Sequence, residues 1–315
     1  MRKVLTDTST SDVRTELMRS SQQLGGLTTG VVLNLIIMTD ESAQYDAVRA
    51  ASQAGREHPC RVLGVIARDT HSVPRLNAEI TVGEDAPGQT VVLRMYGELS
   101  EHADSVVAPL LVSDTPVVVW WPTAAPAAPA TDPLGVLAQR RITDAAACER
   151  PLATLTRLAA SYRPGDTDLA WARTTGWRSL LAASLDRPHG EILAAEVSAE
   201  DGNPSAELIA AWLVGRLGVP VRRVISAGPG VTAVTIATAD GDIAIIRPDG
   251  RNAILVRPGE PDRHVGLHRR DTAELMAEEL RRLDPDEVYG EVLALLAAGA
   301  GASRPEALAA ASGEE

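Results

Sequence analysis

The run Val31-Val-Leu-Asn-Leu-Ile-Ile-Met38 constrains this chain more than any other segment, because only Asn34 interrupts it. A strand with one wet face alternates apolar with polar residues, so an almost unbroken apolar stretch of strand length reads as a strand buried on both faces of a parallel sheet. Asp40 can cap a following helix over about 41–56, and 61–67 then reads as a second buried strand, which makes a βαβ unit. The segments 78–82 and 90–98 flank the turn-rich Gly83-Glu-Asp-Ala-Pro-Gly88 and predict a looser hairpin. Ser100 can open a helix to about Val112, and Pro116-Val-Val-Val-Trp-Trp121 predicts a further buried strand. The first fold class is therefore a three-layer α/β domain with a mostly parallel sheet, mixed at one edge.

Four prolines between Pro122 and Pro133 then stop any ladder and predict a surface loop. A helix over about 151–162 and the breaker Arg163-Pro-Gly165 follow, which places a domain boundary at 165. Beyond it the pattern predicts a helix over 169–185, a strand over 191–198 and a helix over 204–217 capped by Asn203. Strands over 221–226, 231–238, 242–247 and 253–257, with Asp240-Gly241 and Asp249-Gly250 at tight turns, predict an antiparallel meander closed by helices over 271–283 and 285–298. The expected organisation is a mobile N-terminal arm over 1–25, an α/β domain over 26–165, an α+β domain over 166–298 and a disordered tail over 299–315.

A length of 315 residues suits two cores, and with Phe absent those cores must be filled mostly by Leu, Val, Ile and Ala. The formal charge of -12 disfavours nucleic acid as a partner. No apolar run approaches the roughly 20 residues that cross a bilayer, and the N-terminal segment lacks a secretory pattern, so the expected address is the cytoplasm with no membrane partner. Cys60 and Cys148, 88 positions apart, fit neither a disulfide framework nor a Cys-x-x-Cys site and are expected to be ordinary reduced thiols.

Searches for catalytic motifs fail in informative ways. Gly25, Gly26 and Gly30 precede the first strand instead of following it, and Gly228-Pro-Gly230 joins two strand patterns, so neither is a dinucleotide loop. Lys3 is the only lysine, which excludes a Walker A loop, and Gly-x-Ser-x-Gly does not occur. His264 and His268 have a metal-like spacing but lack a third ligand nearby, and read as surface histidines. No cofactor, metal or catalytic residue is expected.

Two segments stand out. Trp120 and Trp121 end a buried strand at the carboxyl edge of the sheet, where open α/β folds place ligands, and since neighbouring strand residues face opposite ways one indole is expected in the core and the other outward or under the proline loop. Gly165-Asp-Thr-Asp168-Leu-Ala-Trp171-Ala-Arg173-Thr-Thr-Gly176-Trp177-Arg178 gathers Asp166, Asp168, Trp171, Arg173, Trp177 and Arg178 within a short stretch. The structural reading makes Asp168 a helix cap, Trp177 core and the arginines interdomain ion pairs. The functional reading is a polar, aromatic-lined cleft for a sugar, a phosphate or a partner side chain.

These two segments, with Asp132-Pro-Leu134 and Arg141-Ile-Thr-Asp144 between them, resemble the OpcA family of glucose-6-phosphate dehydrogenase assembly proteins in its actinobacterial form, over about 28–298. The resemblance implies a non-catalytic factor that binds glucose-6-phosphate dehydrogenase, promotes its active oligomer and so supports the oxidative pentose phosphate pathway and NADPH supply. Trp120, Trp121, Arg141, Asp166, Asp168, Trp171, Arg173, Trp177 and Arg178 are the candidates for the contact surface or cleft. The alternative expectation is a sugar-phosphate-binding enzyme or sensor that uses Arg173 and Arg178 for phosphate and Asp166 or Asp168 for hydroxyls.

Overall fold

The computed structural model describes residues 1–23, 31–83, 86–299 and 303–307. Along the chain run β1 (Arg2–Thr8), α1 (Thr10–Gln23), β2 (Leu33–Thr39), α2 (Gln44–Ala54), β3 (Cys60–Ala67), β4 (Arg75–Gly83), β5 (Ala86–Tyr96), α3 (Ala103–Val107), β6 (Val117–Trp121), α4 (Pro133–Val136), β7 (Arg140–Thr143), α5 (Pro151–Ser161) and β8 (Asp166–Asp168). There follow α6 (Leu169–Ala172), α7 (Thr175–Leu185), β9 (Ile192–Ala199), α8 (Pro204–Leu217), β10 (Val221–Ile225), β11 (Val231–Thr238), β12 (Gly241–Ile246), β13 (Asn252–Val256), β14 (Arg263–Gly266), α9 (Thr272–Arg281), α10 (Glu287–Ala297) and β15 (Ser303–Ala307). The chain forms two compact units, one of residues 1–149, 161–169 and 271–286, the other of 150–160, 170–270 and 287–315. The single division expected at 165 is thus replaced by several crossings.

The first unit is built on an eight-stranded sheet in the order β1-β4-β5-β3-β2-β6-β7-β8. Its six strands from β5 to β8 are parallel to their neighbours, and β4 and β1 add an antiparallel edge. The apolar run behaves as its pattern demands, since Leu33, Leu35, Ile36 and Ile37 are all buried, with Ile36 paired to Leu63 on one side and Val119 on the other. Asn34 is buried too, and it is tolerated because its side chain accepts from the Val112 amide at 2.8 Å and donates to Thr115 Oγ1 at 2.6 Å. The mobile arm is corrected: Arg2–Leu5 pair antiparallel with Ala78–Thr81, and α1 buries Val13 and Leu17 in the core, while residues 24 and 25 lie outside the described part. Within 299–315, residues 300–302 and 308–315 also lie outside it, and Ser303–Ala307 runs parallel to β10.

In the second unit β11, β12 and β13 form the part of the expected meander that the turns at Gly241 and Gly250 define; its first expected strand, β10, instead lies parallel to β9, β9 joins β11 antiparallel, and β14, which the sequence reading does not include, adds the outer strand. Asn203 caps α8 by accepting from the Ala206 amide at 3.1 Å, and Gly218 ends that helix at a φ of 66°. The helix expected over 169–185 is broken between Ala172 and Thr175. The helix expected to close the meander first, α9, belongs instead to the sheet of the first unit and packs against α2.

β7 shows why. Neighbouring strand residues point to opposite faces, so Arg140 and Arg141, both buried, need separate partners. Arg140 donates to Glu279 of α9 at 2.5 Å and to the Asp284 carbonyl at 2.8 Å, while Arg141 donates to Asp166 and to the carbonyls of Ala138 and Pro164. Burial raises the Glu279 carboxyl above its usual range, and Arg140 opposes that rise. Removing one member of such a pair leaves a buried charge uncompensated. Arg140→Met should therefore cost about 3–5 kcal/mol in urea unfolding. Adding Glu279→Met should recover most of that loss.

Candidate functional site

The strand order defines one place where a ligand site is expected. From β2 the chain crosses through α2 to β3 on one side, and later returns to β6 on the other, so the sheet reverses direction between β2 and β6. Open α/β sheets bind ligands outside the carboxyl ends of their strands at such a point. A crevice of about 410 Å³ lies there, lined by Trp120, Pro122 and Thr123 after β6, by α2 residues including Asp46 and Arg49, and by Asp144 and Asp271. Trp121 faces the other way into the core, as alternation requires, and neither indole is exposed, Trp120 being 1% and Trp121 2% accessible: of the two expectations for the second indole, outward or under the proline loop, the outward one is corrected. The Trp120 Nε1–H has no hydrogen-bond partner among the described residues.

In nucleotide-binding folds the phosphate sits on the amides that open the helix after the first strand. Here Asp40 takes that position with its own carboxylate, accepting from the Ser42 amide at 2.8 Å, the Ser42 hydroxyl at 2.5 Å and the Ala43 amide at 2.9 Å. The Ser42 hydroxyl, then the Ala43 amide, hold the Asp40 carboxyl below its usual range. Next to it Glu41 receives Arg94 in a fork at 2.9 and 3.1 Å, which answers its charge. The amides that a phosphate would use are thus already taken by the Asp40 carboxylate.

The remaining candidates fall into separate local arrangements. Asp166 is buried against Arg141 and accepts from the Arg163 amide at 2.8 Å; burial raises its carboxyl above the usual range against the pull of Arg141. Asp168, fully buried, accepts from Thr143 Oγ1 at 2.6 Å and the Ala145 amide at 2.9 Å, so it fastens the turn after β7. Both carboxylates are engaged within the first unit. In the second unit Arg178 stacks over Trp171 with its guanidinium carbon 3.7 Å from the ring centroid, donates to Thr174 Oγ1 at 2.9 Å, and Trp171 also meets Tyr289 at 5.6 Å. Trp177 is core, with Arg247 over its ring at 4.9 Å.

Arg173 and Trp177 do share a cavity of about 200 Å³ in the second unit, where Arg247, Arg269, Arg270 and His268 join them. Sequence reading misses the three arginines, and takes His268 for a surface histidine, because four strands and two helices separate Arg173 from Arg247 and two further strands lie before Arg269. Burial, with the charge of Arg269 behind it, lowers the Arg247 guanidinium to about 10. Among the described residues no three histidines, cysteines or acids gather as metal ligands. Cys60 and Cys148 are free, and burial pushes the Cys60 thiol up to about 12, which leaves it unreactive at neutral pH.

Together these features define a two-unit α/β protein whose nucleotide corner is closed by its own acids. Two family models match the chain: the N-terminal domain of a glucose-6-phosphate dehydrogenase subunit over residues 51–160, and the C-terminal domain of the same kind of subunit over residues 164–293. The chain belongs to the OpcA family of glucose-6-phosphate dehydrogenase assembly proteins. No curated protein matches it. Among solved structures it is similar to an oxidoreductase from Sinorhizobium meliloti (11% identity, 86% of this chain and 98% of that one, TM-score 0.48) and to UDP-N-acetylglucosamine 3-dehydrogenase GnnA from Acidithiobacillus ferrooxidans (13% identity, 84% and 95%, TM-score 0.33). Likeness at these scores has no bearing on function. No helix among the described residues is long and apolar enough to cross a membrane.

Asp40→Ala should lower the melting temperature at neutral pH. Because the folded-state carboxyl lies below its unfolded value, its contribution is present above the unfolded pKa and lost as pH falls through the folded one. The gap between variant and parent should therefore narrow below about pH 4 in thermal melts.

Proposed function

We propose that this protein works in the cytoplasm as a non-catalytic partner of glucose-6-phosphate dehydrogenase that favours the enzyme's active oligomer. The match of the two family models across residues 51–293 carries this reading. The engagement of Asp166 with Arg141, and of Asp168 with Thr143 Oγ1 and the Ala145 amide, supports it, because both carboxylates hold β7 and β8 together. Activation requires only that the chain bind one state of the enzyme more tightly than another, by a coupling of about 1–3 kcal/mol.

For the contact we favour the proline-rich segment 122–133 of the first unit. Ala124 and Ala127 are exposed there, while Trp121 and Pro122 are buried beneath and the Ser161 hydroxyl holds the Ala127 carbonyl at 3.0 Å. A rigid, partly apolar loop loses little entropy on docking. In this arrangement Trp120 and Trp121 support the surface from within, and Arg141 braces the strand next to them. In the second unit the half-buried Arg173 and Arg178, backed by Trp171 and Trp177, remain candidates for further contacts.

Size-exclusion chromatography of the chain with the dehydrogenase of its own host should show co-elution, with raised dehydrogenase activity in the shared peak. Ala124→Asp with Ala127→Asp should weaken that co-elution while leaving the melting temperature unchanged. Separate elution together with an unaltered rate at saturating amounts would remove the proposal.

A further inference from the structure

Five arginines are buried among the described residues: Arg140, Arg141, Arg223, Arg247 and Arg257. Four of them meet a carboxylate, Glu279, Asp166, Glu207 and Glu260 respectively. Arg247 does not. It is 5% accessible, its Nη1 and Nη2 donate to the carbonyls of Leu267 at 2.9 Å and Val231 at 3.0 Å, and its Nε–H has no partner. A buried cation without a counterion is costly, which is why the other four are paired.

The surroundings of Arg247 add positive charge where a negative group is missing. Arg173, Arg269 and Arg270 line the same cavity and no Asp or Glu does, although the chain as a whole carries a formal charge of -12. Arg269 runs over Gly250, with its Cδ 3.1 Å from where a Cβ on that residue would stand, and Gly250 has a φ of 72°. A Cβ built on Gly230 would have Arg247 Nη2 and Arg269 Nε at 3.9 Å and Asn203 Nδ2 at 4.0 Å, so three nitrogen donors surround the space that this glycine leaves open. Asn203 also caps α8, whose N-terminus brings the positive end of a 14-residue helix to the wall through Asn203 and Ser205. Two carboxylates lie beside this wall, Asp249 accepting from the amides of Arg251 and Asn252, and Glu200 accepting from the wall's own Asn203 Nδ2 at 3.0 Å, which leaves Arg247 and Arg269 as the donors that count.

We propose that this cavity of the second unit is a binding site for a small phosphate monoester, with the phosphate held between Arg247 and Arg269 beside Gly230 and the rest of the molecule lying toward Arg173 and Leu267. A dianion answers the unpaired Arg247 and the adjacent Arg269 together, and guanidinium forks suit its tetrahedral oxygens better than they suit a single carboxylate. A volume of about 200 Å³ exceeds what a bare ion fills but is smaller than a usual small-molecule pocket, so the phosphate sits inside and the rest of the molecule extends toward the opening. The site is built wholly from residues of the second unit, and it requires no dehydrogenase.

The test is isothermal titration calorimetry on the full chain alone, with inorganic phosphate, glucose 6-phosphate and, as the neutral control, glucose. Phosphate and glucose 6-phosphate should bind, the ester more tightly; glucose should not. Raised sodium chloride should weaken both. Arg269→Ala, at an exposed position, should leave the melting temperature of the free chain unchanged and weaken the ester about tenfold or more, the loss of one charge-assisted contact. Arg247→Gln should abolish binding, and circular dichroism will show whether it folds; Arg269→Ala decides the matter if it does not. Absence of heat with either anion overturns the proposal, as does equal affinity in parent and Arg269→Ala. Retained co-elution with the dehydrogenase under either of those outcomes would leave the partner reading standing without this site.

Discussion

The alternation of a strand imposes the constraint on which the first unit depends. Two consecutive arginines on a buried strand cannot share a partner, because their side chains leave on opposite faces. Arg141 is met locally, by Asp166 on the neighbouring strand and by two carbonyls. Arg140 is met only by Glu279 and the Asp284 carbonyl, which lie more than a hundred residues later. A segment that follows β9 to β14 of the second sheet in sequence thereby joins the first unit, and with it α9 comes to pack on α2. The same strand carries Thr143, which together with the Ala145 amide holds Asp168, so the acids that look most like site residues in the chain are the ones that keep β7 and β8 in register.

The two units present opposite charge where an anion would be expected to settle. In the first, the fold brings a helix start to the reversal point of a parallel sheet, the usual seat of a nucleotide phosphate, and Asp40 and Glu41 occupy it. In the second, a strongly acidic chain gathers four arginines around one cavity and leaves the most buried of them without a counterion. Sheet architecture alone would predict the reverse. Local charge, set by residues in turns and at strand ends, decides where a negative ligand can settle.

Much of the fold is legible in the sequence because it rests on local pattern. The run ending at Met38, the hairpin turns at Gly241 and Gly250 and the Asn203 cap each predict the element that forms. The N-terminal strand is not legible, since Arg2–Thr8 is a polar edge strand whose alternation is shallow and whose partner lies some seventy residues away. The place of α9 is not legible either, because its amphipathic face would suit either sheet and the deciding contact is a single buried ion pair. At the candidate sites the indoles are recognisable as unusual, but burial, not exposure, is what they share. Arg247 and Arg269 give no signal in the chain: one ends an apolar strand, the other follows a histidine, and only the β11–β14 meander brings them to Gly230.

If the chain acts by preferring one state of glucose-6-phosphate dehydrogenase, substrate and chain must strengthen each other's binding, because coupling between two ligands is reciprocal. The most direct measurement is the affinity of the purified chain for the dehydrogenase with and without saturating glucose 6-phosphate, read by calorimetry or ultracentrifugation, using Arg269→Ala in parallel to separate any effect of substrate on the chain itself. The expected result is tighter binding with substrate, by about 5-fold to 150-fold in both proteins. Equal affinity in the two conditions, with the complex fully formed, would contradict it.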